Sequence, residues 1–172
     1  MRAFAIIAFA LALVGPILLA DRAYAAPRPL SPGLTPKYVE SLIRRIGPRA
    51  TIELLDKRDW GPMMDRIERG DTAWVRLVPE LAPGSDGGDA EDLGMALAYG
   101  LPNNPHAVLS VIVIGQGHVI DVRRVCGLPF IEDDVKDRPA YKRRAIAAIS
   151  VVHDPRLIDV KKACADQLTA AQ

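Results

Sequence analysis

Five prolines in this chain stand directly behind residues that start or stop helices, and this pattern constrains the fold more than any other feature. Thr35-Pro36, Asn104-Pro105 and Asp154-Pro155 each pair a side chain able to cap a helix with a proline at the first helical position. A proline is favoured there because its missing N–H would lack an intrahelical partner anyway. Gly47-Pro48 and Gly61-Pro62 fit the same role, with each glycine also able to end the preceding helix. Asp71 and Asp89 are further candidate N-caps. These signals predict helix starts near residues 36, 48, 62, 72, 90, 105, 139 and 155.

The apolar spacing agrees with the caps. Val39, Leu42, Ile43 and Ile46 recur at the i, i+3, i+4, i+7 spacing of one helical face, and so do Trp60, Met63, Met64 and Ile67. Trp74, Leu77, Val78 and Leu81 repeat it. Further stripes run through Leu93–Leu101, Tyr141–Val152 and Leu157–Leu168. The predicted fold class is all-α, with short helices stacked as antiparallel hairpins in a HEAT-like manner. Residues 108–125 are ambiguous. Two β-branched runs flank Gly115-Gln116-Gly117, as in a β-hairpin, while Asn104-Pro105 argues for a helix running into the same stretch.

The first 25 residues read as an address. Arg2 is followed by an uncharged, apolar run over 3–20 and by Ala23-Tyr24-Ala25, the layout of a secretory signal peptide cut after Ala25. An uncleaved N-terminal anchor is the alternative. Residues 26–36 hold four prolines and are expected to form an extended linker, leaving 37–172 as a single helical domain. Of 22 basic and 21 acidic residues, Arg2, Arg22 and Asp21 lie before the cut, so the mature chain carries no net charge. Neither nucleic acid nor an anionic membrane surface is an expected partner. Export also places Cys126 and Cys164 in an oxidising compartment, where a pair bonds. That bond would pin the last helix.

Reactive constellations are sparse. His106, His118 and His153 form no metal-binding spacing, and His153 is placed to cap the helix before it. The acidic run 86–92 lacks the alternation of a calcium loop. Asp56, Asp59, Glu68 and Asp71 could supply a carboxylate pair, although solvated helix faces account for them. No cofactor is expected. The residues singled out for partner binding are Trp60 and Trp74, with Asp59 and Arg76 as polar neighbours, because Trp and Arg dominate binding hot spots.

Gly70-Asp71 with Trp74-Val75, Asn104-Pro105-x-x-Val108-Leu109, and Val125-Cys126-Gly127-x-Pro129-Phe130-Ile131-Glu132 together resemble small exported helical proteins of proteobacteria without assigned activity. The resemblance implies a periplasmic setting and an all-helical fold. It carries over no catalytic residue. The functional expectation is a non-catalytic periplasmic or secreted interaction module (adaptor, inhibitor or immunity-like) that binds another envelope protein. The alternatives are a small-molecule or metal-binding protein and a carboxylate-based envelope hydrolase.

Overall fold

The computed structural model describes residues 28–56, 58–115, 117–130 and 135–171; of Asp56 only the backbone is described. The predicted signal peptide lies outside the described residues. So do Ala26 and Pro27 of the expected linker. The described part is all-α. Its helices are α1 (Pro36–Ile46), α2 (Pro48–Asp56), α3 (Trp60–Glu68), α4 (Thr72–Val75), α5 (Val78–Leu81), α6 (Gly87–Gly100), α7 (Pro105–Leu109), α8 (Val122–Cys126), α9 (Arg138–Ser150) and α10 (Ile158–Ala170). Short 3-10 turns precede α6 at Ala82–Gly84 and α10 at Pro155–Leu157. Among the described residues no helix is long and apolar enough to cross a membrane.

The caps act as the sequence indicates. The Thr35 side chain accepts from the Tyr38 N–H, that of Asn104 from Ala107, and that of Asp154 from Arg156. Asp71 accepts from the Ala73 N–H. Gly47 ends α1 at a φ of +81°, donating its N–H to the Ile43 carbonyl. Two starts differ. Helix α3 begins at Trp60, with Pro62 inside its first turn, where an N–H would have no partner in any case. Helix α6 begins at Gly87 behind Asp86, so Asp89 sits in the first turn and is not the cap.

The stripe from Trp74 to Leu81 is buried as expected, but it spans two single-turn helices. Pro79 is the cause. It has no N–H for the Val75 carbonyl, and its ring would strike that carbonyl in a continuous helix.

Helices α3 and α6 form the centre. The Trp60 indole N–H donates to Asp92 near the start of α6 at 2.8 Å, and the Asn103 amide just beyond α6 donates to the Glu68 carbonyl at the end of α3, also at 2.8 Å. The two helices therefore run parallel, joined by the α4–α5 crossover. Gly100 permits their close approach, since a Cβ there would lie 2.6 Å from the Ile67 carbonyl oxygen. Antiparallel packing is found between α9 and α10, beyond the first two-thirds of the chain where stacked hairpins are expected. Lys142 near the start of α9 donates to the Thr169 and Ala171 carbonyls, and Lys161 on α10 donates to the Ser150 and Val152 carbonyls. Each helix thus satisfies the open carbonyl end of the other. Lys161 takes the capping role expected of His153.

Residues 108–125 are neither a continuous helix nor a hairpin. Helix α7 ends at Leu109, and the chain makes one isolated bridge between Val113 and Asp121, which closes a loop through Gly115 and Gly117. Both glycines have positive φ, at +76° and +65°. Asp121, 1% exposed, ties the loop down by accepting from the N–H groups of Gly117 and Arg123. Helix α8 follows immediately and ends at Cys126. A disulfide joins Cys126 to Cys164 on α10, and both residues are completely buried.

The proline-rich stretch is not a free linker. Leu30 and Leu34 pack against the core, and residues 28–31 are hydrogen-bonded to α3 and the turn before it.

Candidate functional site

The residues predicted for partner binding separate into two sets. Trp60 and Trp74 are 5% and 4% exposed and belong to the core, so neither ring is presented to a partner. Each opens an apolar helical stripe, and the burial that makes such a stripe worth forming takes its first residue with it. Asp59 and Arg76 remain near the surface. The Arg76 side chain is exposed, whereas Asp59 accepts the Ser31 N–H at 2.8 Å.

That contact belongs to a larger arrangement on α3. Arg28 meets Asp65 through its guanidinium, with Nε to Oδ2 and Nη2 to Oδ1 both at 2.9 Å, and through its backbone N–H at 3.1 Å. The two parallel donors match the two carboxylate oxygens, a geometry only arginine provides. The guanidinium lies over Gly61, where a Cβ would come within 2.6 Å of Nη1. The spacing of α3 places Asp65 and Glu68 on neighbouring turns of one face. The Arg28 hydrogen bond holds the Asp65 carboxyl below its ordinary range. Burial pushes the Glu68 carboxyl up, and the Asp65 charge adds to the effect. Arg69 and Asp92 also act on Glu68. Asp71 is spent as the cap of α4, and the Asp56 side chain lies outside the described residues.

Sequence reasoning missed Arg28 and Asp65. The available signal was an arginine between two prolines, a residue type for which a free linker has no use.

Two other surfaces carry charge. An open cleft of about 280 Å³ lies between α6 and α8, lined by Glu91, Gly94, Met95, Arg123, Arg124 and Pro129 among others. Arg123 also reaches back to Asp121 at 3.3 Å. At the other end, His106 Nε2 lies 3.1 Å from Asp154, and Arg156 holds that carboxyl far below its ordinary range. Among the described residues no group of three or more His, Cys, Asp or Glu side chains is placed to hold a metal ion.

Compared with family models, with curated proteins and with solved structures, the chain has no significant match.

Proposed function

We propose that the chain is an exported, non-catalytic interaction module of the bacterial envelope, acting as an adaptor, inhibitor or immunity-like protein on another envelope protein. The observation that carries this reading is the binding of an extended segment on α3. Residues 28–31 are held by one bidentate guanidinium contact and two backbone N–H groups, the contact set by which protein surfaces hold peptides. Export is supported by the buried Cys126–Cys164 disulfide together with the leader-like run over 1–25.

The test is in-cell crosslinking of the tagged chain, followed by mass spectrometry of the envelope fraction and N-terminal sequencing. The expected result is one dominant crosslinked envelope protein and a mature chain beginning at Ala26. A chain that still begins at Met1 would replace export by membrane anchoring.

One observation favours a second reading. Glu68 and Asp65, one turn apart, have carboxyl groups pushed in opposite directions, as in acid–base pairs of hydrolases. Turnover of a peptidoglycan or ester substrate by the purified chain, abolished by Glu68→Gln, would establish it and overturn the non-catalytic proposal.

A further inference from the structure

The seat beneath Arg28 has a defined shape. Its floor is Gly61, where a methyl group would overlap the guanidinium nitrogens. Its wall is Asp65, aligned for two parallel hydrogen bonds. Glu68 adds negative charge near the guanidinium, and Arg69 and Asp92 act on Glu68 in turn. Asp59 receives the N–H three residues further along the bound segment. Pro29 offers no N–H, and Pro32-Gly33 turn the chain away from α3, with the Leu34 N–H donating to the Ser31 carbonyl.

The Arg28 contact is exchangeable. The Arg28 side chain is 62% exposed, and exposed ion pairs exchange readily with solvent and competing ions. The stretch behind it stays anchored, since Leu30 and Leu34 pack against the core. The exchange therefore concerns the guanidinium and not the whole segment.

Resting on the interaction-module reading, we propose that this seat is the partner site. It recognises an arginine in another protein that is followed by a proline and, three residues on, by a free backbone N–H. Arg28 fills it in cis as an intramolecular competitor, which the partner's arginine must displace. Tethering gives the cis segment a high effective concentration, so the free site is masked until a better ligand arrives.

The probe is a fluorescent peptide copying residues 27–34, capped at both ends, with binding to the full chain read by anisotropy. Arg28→Ala empties the seat and is expected to tighten peptide binding by about tenfold or more over wild type. Adding Gly61→Ala to Arg28→Ala puts a methyl group on the floor, which an incoming guanidinium must shift to avoid, and is expected to weaken binding. Gly61 stands before Pro62 inside α3, where a Cβ is disfavoured, so the melting temperature of this second variant is measured alongside to separate a folding defect from lost binding. Adding Asp65→Asn instead should remove binding, and a peptide with glutamine in place of its arginine should not bind.

Equal peptide affinity in wild type and Arg28→Ala overturns the proposal, as does binding that survives Asp65→Asn. Failure of the broader reading looks different. If crosslinking finds no protein partner while the peptide binds with this dependence, the module assignment fails and the arginine seat stands. If a partner is captured equally by wild type and by Asp65→Asn, the module stands and the seat is not its site.

Discussion

The centre of the molecule and its C-terminal end are held together by different means. The α3–α6 centre relies on contact: Met63, Ile67, Leu93 and Leu97 are fully buried there, and Gly100 lets the backbones meet. The C-terminal pair has less to bury. Helix α10 contributes only Val160, Cys164 and Leu168 to the core and leaves Ile158 61% exposed. Its attachment is chemical, through one disulfide to α8 and two lysines shared with α9. A narrow apolar stripe suffices where a covalent bond holds the helix in place.

Breaking the disulfide should give the largest effect. With a sequence separation of 38 between the cysteines, the chain-entropy estimate is about 4 kcal/mol. Cys126→Ala with Cys164→Ala, compared with wild type by urea denaturation, should show that loss. Hydrogen exchange should localise it to α8, α9 and α10 and leave α3 and α6 protected. Uniform loss across the molecule would mean that the centre and the C-terminal end are one cooperative unit.

Gly100→Ala attacks the α3–α6 centre. The new methyl group meets a backbone carbonyl that cannot rotate away, so α3 and α6 must separate, at roughly 1–3 kcal/mol. Reducing agent should add to this loss and not replace it, since the sites share no partner. Lys142→Met and Lys161→Met should each cost about 1 kcal/mol, because each leaves two helix-end carbonyls without a charged donor. Thermal denaturation of the single and double variants measures whether the two caps are independent.

The same contrast decides what could be read from sequence. Helix starts were legible because a cap and its proline act within four residues, and Thr35, Asp71, Asn104 and Asp154 behave as their neighbours imply. The disulfide followed from compartment and cysteine count. The parallel α3–α6 pairing was not legible, since Gly100 facing Ile67 is a tertiary fact with no local pattern. Residues 108–125 misled because β-branched residues suit any buried surface. Val108, Leu109, Val111 and Ile112 are buried in the core without making a helix or hairpin over the stretch. Of the site, Asp59 was found for the wrong reason. It lies beside Trp60, whose ring is buried, and serves a segment that its proline content suggested would be free.

The smallest effect expected is in acid, and its sign separates the two carboxyls of α3. Glu68 has a raised pKa in the fold, so burial of its charge opposes folding at neutral pH. Protonation as pH falls through that raised value removes the opposition, and stability rises. Asp65 has a lowered pKa, so its contribution is fully present above the ordinary carboxylate value of about 4. That contribution is lost as pH falls through the lower folded value. Descending from pH 7, the N-terminal end should first gain slightly and then lose. Hydrogen exchange at residues 28–34 should increase only in the second stage, when Asp65 releases Arg28. Glu68→Gln should flatten the early gain and keep the late loss. Arg28→Ala should weaken the late loss, because Asp65 then has little reason to stay ionised below its ordinary range. The disulfide does not titrate in this window, so exchange in α10 near Cys164 should remain unchanged while Arg28 comes free of α3. Release of both together, at one pH, would show that the strap is coupled to the covalent end and is not an independent latch on α3.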